Sequence, residues 1–292
     1  MSSNVTHYLR LLRTYQWSKN LVIFAGLIFA GKLFVFEELF RVLIVFLLFS
    51  LMSSAVYIIN DINDLEDDIK HPAKKNRPIA SGKVQQKTAW IIAFLLIALS
   101  LLSSFFLEKT LTLLLFSYLV LNLLYSKYLK HVVILDVFCI SAGFVLRIFA
   151  GTTVIHVVTS SWLIACTISL TLFLGFTKRR NEICFVEDDE ILFRAVLEDY
   201  SKELLDKFIL ISSAITLVFY SLYTLDEKTI EHFHTDALMY TIPIVIFGLF
   251  RYLYLVYEKK EGGDPSLLLL EDKIILLTVV VWIATAVGVI YV

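Results

Sequence analysis

Charge is what this sequence has least of. Charged residues fill 18% of its 292 positions, where a soluble chain carries about 25%. That deficit excludes an ordinary soluble domain, which needs charge to cover its surface. Neither sign is in surplus: the formal net charge is −1, so total charge points to no polyanionic partner, and no nucleic acid is expected. Only three cysteines occur. Cys139 and Cys166 fall in apolar runs and Cys184 in a charged segment, so no metal-ligand spacing arises and no disulfide is expected. Prolines number four. Pro72 and Pro78 bracket a segment that cannot be one continuous helix. Pro243 falls inside an apolar run, where it is expected to kink a helix. A cleavable signal is not expected either: residues 1–19 are polar, and the run that follows reads as a mature helix.

What the chain does have is apolar length. It is 58% hydrophobic, with a mean hydropathy of +0.78. Nine runs approach the roughly 20 residues that cross a hydrocarbon core as a helix: 20–36, 39–60, 88–107, 109–127, 132–150, 159–177, 207–226, 237–257 and 273–291. They are continuously apolar, without the period-two alternation of a barrel strand. The expected fold is an all-α integral membrane protein, a nine-transmembrane-helix bundle forming one membrane domain over residues 1–292.

Lys and Arg set the orientation. Arg10, Arg13 and Lys19 precede the first run. Lys70, Lys74, Lys75, Arg77, Lys83 and Lys87 follow the second, and Lys127 and Lys130 the fourth. Lys178, Arg179, Arg180, Arg194, Lys202 and Lys207 follow the sixth, and Arg251, Lys259, Lys260 and Lys273 surround the loop after the eighth. The other side holds Lys32, Arg41, Lys109 and Lys228. The amino terminus is therefore expected in the cytoplasm and the carboxyl terminus outside, in the cell's inner (plasma) membrane. The two longest non-spanning pieces, 61–87 and 178–206, are charged and cytoplasmic on this reading and are expected to cap the active site. Their places after the second and sixth runs hint at a duplicated four-helix unit, although no sequence repeat supports one.

The strongest chemical signal is the stretch Asn60-Asp61-Ile62-Asn63-Asp64-Leu65-Glu66-Asp67-Asp68 at the cytoplasmic end of the second run. In a continuing helix, Asp61, Asp64 and Asp68 share one face, with Asn60 beside them. Carboxylates so placed repel one another unless a cation stands between them. An all-oxygen set suits Mg²⁺, which keeps several waters and binds substrate phosphates in its remaining positions. The blander reading is a solvated helix end, which sits poorly with acids at the membrane boundary of an otherwise basic loop. Lys74 and Arg77 follow within about ten residues and offer partners to a metal-bound anion. Lys75 is better explained by the positive-inside bias.

Other polar residues fall at the same face. Tyr125, Lys127 and Lys130 join the fourth and fifth runs. Asp136 stands just inside the fifth and Arg147 deeper, on the same stripe but about 16 Å apart along the axis, too far to pair with each other. An ionisable group at that depth faces a cavity or a partner; for Arg147 a structural pairing weighs equally with a substrate role. Lys178, Arg179, Arg180 and Glu182 end the sixth run. The run Glu187-Asp188-Asp189-Glu190 reads better as solvated surface than as a second metal site, and His232 and His234 as an exposed polar loop. Lys19 and Asn20 stand at the rim of the first run.

These residues spell a pattern. Asn60-Asp61-x-x-Asp64-x-x-x-Asp68 on the second of nine helices resembles the UbiA superfamily of intramembrane prenyltransferases. The finer pattern is similar to its phosphoribosyltransferase branch: Gln16-Trp17-x-Lys19-Asn20, His71-Pro72 with Arg77-Pro78-Ile79-Ala80-x-Gly82, Tyr125-Ser126-x-x-x-Lys130, Leu135-Asp136, Gly143-Phe144-x-Leu146-Arg147 with Ala150-Gly151, and Lys178-Arg179 with Glu182. The likeness covers about residues 8 to 205. Many family members carry a second Asp-rich motif after the sixth helix, whereas this chain has Lys178-Arg179-Arg180-Asn181-Glu182 there, which suits a donor with an extra phosphate. The resemblance implies Mg²⁺-dependent transfer of a phosphoribosyl group from phosphoribosyl diphosphate to a polyprenyl phosphate in the bilayer, toward a cell-wall precursor. It implies Asp61, Asp64 and Asp68 as metal ligands, with Asp61, Asp64 and Asp136 in the catalytic set. Lys19, Asn60, Lys74, Arg77, Tyr125, Lys130, Arg147, Lys178, Arg179 and Glu182 are the implied substrate contacts.

Two other functions compete with this one. A prenyltransferase joining an isoprenoid to an aromatic or other acceptor would need no cations for an acceptor phosphate. A transporter would place its ionisable groups at midmembrane on broken helices, whereas here they gather at one face. A homo-oligomer is left open. The Lys and Arg asymmetry makes one prediction: a reporter fused after Val292 reads as outside and one inserted near Lys83 as cytoplasmic, and a cytoplasmic carboxyl terminus would mean that a crossing has been miscounted.

Overall fold

The computed structural model describes residues 2–70, 74–189, 195–259, 268 and 271–291, and every regular element among them is helical. In chain order these are α1 (Ser2–Leu12), a 3₁₀ helix (Thr14–Phe24), α2 (Ala25–Phe29), α3 (Phe36–Asn63), α4 (Leu65–Lys70), α5 (Gln86–Leu107), α6 (Lys109–Lys127), α7 (Leu135–Val154), α8 (Ser161–Asp189), α9 (Lys202–Leu225), α10 (Glu227–Phe233), α11 (Ile242–Tyr257) and α12 (Lys273–Tyr291). Short 3₁₀ turns occupy Lys74–Asn76, Leu129–His131, Ala195–Asp199 and Ala237–Thr241. Among the described residues, eight helices are long and apolar enough to cross a membrane. They correspond to the second through ninth runs expected from sequence. Helix α8 continues to Asp189, well past the end expected near residue 177. Pro243 does not kink a helix interior: it stands in the first turn of α11, where the preceding 3₁₀ turn passes into α geometry and a missing N–H costs nothing.

The chain divides into two compact units. The first comprises Met1–Leu27, Leu33–Lys127 and Leu146–Val158, with α3 as its core: 67% of the apolar window of α3 is buried, against 17% for α5. Leu11, Ala55, Ile58, Ile59, Ile62, Ile79 and Ala89 form one apolar cluster beneath the acidic end of α3. Buried hydroxyls return to their own helices, as when Ser53 donates to the Phe49 carbonyl (2.8 Å). This is how a polar side chain is accommodated where lipid offers no partner.

The expected first run is not one long α-helix. Its polar half is the 3₁₀ helix, followed by the five residues of α2. The segment runs antiparallel along α3: Arg13 pairs with Asp61, Trp17 Nε1 donates to Ser54 Oγ (3.1 Å), Asn20 Nδ2 donates to Ser50 Oγ (2.9 Å), and the Phe24 and Phe46 rings lie 5.8 Å apart. Its length explains its geometry. From Asp61 back to Phe46, α3 covers about 22 Å at 1.5 Å per residue. The eleven steps from Arg13 to Phe24 cover the same distance only at the ~2.0 Å rise of a 3₁₀ helix. Close approach to the end of α7 is made possible by glycine: a Cβ on Gly151 would stand 2.1 Å from the Ile23 carbonyl oxygen, and one on Gly26 2.5 Å from Thr152 Cγ2. Small residues let backbones meet in this way inside membranes.

The second unit comprises Ile28–Lys32, Tyr128–Val145 and Thr159–Val292. Helices α8, α9 and α11 pack through Phe173, Phe176, Leu205, Ile209, Leu249 and Tyr252. Asp206 of α9 accepts from Arg180 Nε (2.5 Å) and from the Tyr257 hydroxyl (2.7 Å), tying the same three helices together. Only 11% of the apolar window of α12 is buried. It is anchored by Arg251–Asp272 (2.8 Å) near its start and by Trp282 Nε1 donating to the Tyr220 hydroxyl (2.7 Å).

The glycine contact makes the second prediction. Gly151→Val forces the Ile23 backbone aside and should lower stability by about 1–3 kcal/mol, the usual range for overpacking, read as a lower melting temperature of the purified protein. Gly288, with nothing within 4 Å of its missing Cβ, should tolerate Gly288→Ala without loss.

Candidate active site

Each unit holds a buried cluster of acidic and basic side chains among its described residues. In the first, α3 carries Asp61 to its last turn and ends at Asn63. Asp64 takes up φ −91°, ψ 13°, and α4 restarts at once. The break is slight, because the Asp64 N–H still reaches the Asn60 carbonyl (2.9 Å) and the Asp68 N–H the Asp64 carbonyl (2.8 Å). Asp61 and Asp68 therefore stay on one side and are both buried, at 2% and 1% exposure. Arg77 Nη1 joins them, donating to Asp61 Oδ1 (3.0 Å) and to Asp68 Oδ2. Arg13 pairs with Asp61 from the opposite direction and lies over the Tyr57 ring, 5.1 Å from its centroid. Asp64 is half-buried at the break, whereas Glu66, Asp67 and Lys75 are exposed. Lys74 and Lys19 are half-buried. His71 and Pro72 lie outside the described residues.

A cation between carboxylates was the expectation from sequence, and two guanidinium groups fill that role here. Among the described residues, no three His, Cys, Asp or Glu side chains converge as a metal cage. The donor set nevertheless fits Mg²⁺, which is usually held by one or two carboxylates with substrate phosphates and water completing the shell. Asn60 Oδ1, at the residue preceding Asp61, is a buried acceptor with no hydrogen-bond partner, and an orphaned oxygen suits a hard cation.

Deeper in the same unit, Arg147 is 5% exposed. Its Nε donates to Asn20 Oδ1 (2.6 Å) and its Nη2 to the Tyr118 hydroxyl (3.0 Å). Its guanidinium also faces the Tyr118 and Phe49 rings, at 4.7 and 5.3 Å from their centroids. These contacts make it a joint between the 3₁₀ segment, α6 and α7. Tyr125, at the end of α6, is half-buried.

In the second unit, Asp136 is fully buried in the first turn of α7, where the helix dipole favours a negative charge. Arg179 of α8, at 1% exposure, donates from Nε to Asp136 Oδ2 (2.6 Å) and from Nη1 to Glu182 Oε2 (2.6 Å). Tyr200 completes the group, its hydroxyl donating to Asp136 Oδ1 (2.9 Å). Burial pushes the Tyr200 phenol above the usual tyrosine range, so it remains a donor at physiological pH. The turn entering α7 is unusual: Ile134 has φ 69°, a region a β-branched residue avoids at a cost of order 1–3 kcal/mol. The Leu135 N–H bonds the Val133 carbonyl across it (2.8 Å). Lys130 and Lys178 are half-buried. Side chains of the run Glu187–Glu190 lie outside the described set, and His232 and His234 are exposed.

Arg13 and Tyr200 are the residues that sequence reading missed. Arg13 looked like one more interfacial cation, and only its place opposite Asp61 separates it from Arg10. Nothing in the sequence distinguishes Tyr200 from other loop tyrosines.

The profile of the UbiA prenyltransferase family matches residues 20–270. Decaprenyl-phosphate phosphoribosyltransferase of Corynebacterium glutamicum is 32% identical, covering 97% of this chain and 86% of the relative. Its counterpart in Mycolicibacterium smegmatis is 29% identical, covering 98% and 93%. The likeness thus runs well beyond residue 205, where the sequence motifs stop. Among solved structures, a UbiA homolog from Archaeoglobus fulgidus bound to GPP and Mg²⁺ superposes with a TM-score of 0.72 at 19% identity, covering 98% of this chain and all of that one.

The buried pair in the second unit makes the third prediction. Arg179→Leu strands Asp136 in an apolar interior and should destabilise the protein by about 3–5 kcal/mol, while Asp136→Leu together with Arg179→Leu should recover much of the loss. Arg41→Leu removes only the exposed Arg41–Glu37 pair and should cost under about 1 kcal/mol. Denaturation of the purified variants measures all three.

Proposed function

The chain belongs to the UbiA prenyltransferase family of membrane transferases, and from that premise we propose that it moves a 5-phosphoribosyl group from phosphoribosyl diphosphate to a polyprenyl phosphate in the bilayer. The observation that carries this reading is near-full-length likeness to decaprenyl-phosphate phosphoribosyltransferases. The buried cation Arg179, in the stretch where many family members are acidic, supports it.

Asp61, Asp64 and Asp68 would hold Mg²⁺, with the Asn60 amide oxygen beside them; when bound, the ion neutralises charge on the leaving diphosphate. The protein's own cations do the rest of the binding. Arg77 and Arg13 stand against the carboxylates from which a diphosphate would be recruited, and Lys74 and Lys19 extend that positive field. In the second unit, Asp136 and Glu182 hold Arg179, which would bind a phosphate with Lys178 and Lys130 as further contacts; Tyr125 of the first unit is a further substrate contact. Arg147 serves the site by fixing helices rather than by touching substrate. In the reaction, the bond from ribose C1 to the diphosphate oxygen breaks with the electron pair leaving on diphosphate, and a lipid phosphate oxygen bonds to C1. That phosphate is already an anion at pH 7, so no general base is required. Nine crossings, with the 3₁₀ segment and α2 as the first, would put the amino terminus on the cytoplasmic side of the plasma membrane and the carboxyl terminus outside.

The test is an assay of the purified protein with Mg²⁺, labelled phosphoribosyl diphosphate and a polyprenyl phosphate. Label should enter the lipid as diphosphate is released, and geranyl or longer prenyl diphosphates should not be consumed. Turnover of a prenyl diphosphate would move the protein to the isoprenoid-transferring branch. Asp64→Asn should lower turnover about a thousandfold or more, the equivalent of several kcal/mol at 1.36 kcal/mol per tenfold. Glu66→Gln, on an exposed side chain of the same stretch, should retain most activity. Near-normal turnover by Asp64→Asn would reduce the acidic face to a solvated helix end.

A further inference from the structure

We propose that Tyr200 is a positioning residue for the transfer reaction, holding Asp136, and through it Arg179, in the orientation that binds the donor's phosphates. The inference rests on the functional reading above for the identity of the donor, and on the geometry of the second unit for everything else.

Tyr200 uses its hydroxyl in both directions. The oxygen accepts from the Ile134 N–H (2.6 Å) and donates its proton to Asp136 Oδ1 (2.9 Å). The first bond pins the strained turn at Ile134, and the second fixes the carboxylate two residues further along. Asp136 Oδ2 takes Arg179 Nε (2.6 Å), so the carboxylate is held at both oxygens and cannot rotate without losing one partner. Arg179 in turn keeps Glu182 (2.6 Å). One phenol thus controls a backbone turn, an acid and a guanidinium in series.

The ring is placed to do this from the connection between α8 and α9. Tyr200 is 5% exposed and packs in the apolar cluster that includes Val137, Val196 and Leu205. Val196 and Leu197 of the same short turn are buried beside it. A tyrosine needed only for packing would satisfy its hydroxyl with any nearby carbonyl. Here the hydroxyl goes to an N–H of a strained turn and to a buried carboxylate already committed to an arginine, and each of those choices specifies geometry.

The experiment is Tyr200→Phe, which deletes one oxygen and leaves the ring in its cluster, combined with Arg179→Lys, which keeps the charge but loses the fork. Three readouts are taken on the full-length protein. Hydrogen exchange at the Ile134 amide should quicken by about tenfold or more, with α8 amides such as Phe173 unchanged. The KM for phosphoribosyl diphosphate should rise about tenfold while that for the polyprenyl phosphate stays within about twofold. The two substitutions together should raise the donor KM by less than the product of their separate effects, because both act on one guanidinium. Strict additivity, or unchanged exchange at Ile134, overturns the proposal. If the wild-type protein consumes a different diphosphate donor, the functional reading fails on its own terms, and the exchange and coupling measurements still decide the role of Tyr200 with that donor.

Discussion

A charge inside an apolar bundle has to be answered by another charge or by hydrogen bonds within the same bundle, and the architecture follows from that requirement. Asp61 and Asp68 are answered by Arg77 and Arg13, Asp136 by Arg179 and Tyr200, and Arg147 by Asn20, Tyr118 and two aromatic rings. Desolvation makes each of these groups expensive alone. Each pairing therefore draws together elements distant in sequence, and the polar centres double as the fasteners of the helices that carry them.

Two different solutions to the same problem appear in the two units. In the first, guanidinium groups with 16% and 26% side-chain exposure face nearly buried carboxylates, so solvent reaches the cations of the pair. In the second, Arg179 and Asp136 are paired at 1% and 0% side-chain exposure, and the pair acts as a fixed element. A transferase acting on polyanionic substrates has use for both: a place where counter-charge can be swapped and a place where it stays put.

Much of this was legible in the sequence. Of the nine apolar runs read from the sequence, eight correspond to helices long and apolar enough to cross a membrane among the described residues, because lipid demands apolar length regardless of packing. The spacing of Asp61 and Asp68 puts both beside Arg77, because helical periodicity survives the small break at Asp64, the third carboxylate of the expected face. The failures have physical causes. The run at 20–36 reads as an α-helix, but the rise of the 3₁₀ segment that leads into it is set by the length of α3 beside it, a tertiary quantity. Pro243 was read as a kink, yet a proline just inside a helix start has no bond to break. Arg13 and Tyr200 carry no local signature, since their importance lies in which group stands opposite.

The 3₁₀ segment has a further consequence. Its own hydrogen bonds are of poorer geometry than those of an α-helix, so it is held extended by side-chain contacts to α3. Relaxed to 1.5 Å per residue, the eleven steps from Arg13 to Phe24 would shorten from about 22 Å to roughly 16 Å. Arg13 would then stop one helical turn short of Asp61. The segment behaves as a stretched thread knotted to α3 at Arg13–Asp61, Trp17–Ser54 and Asn20–Ser50, and its pitch is set by whether those knots are tied.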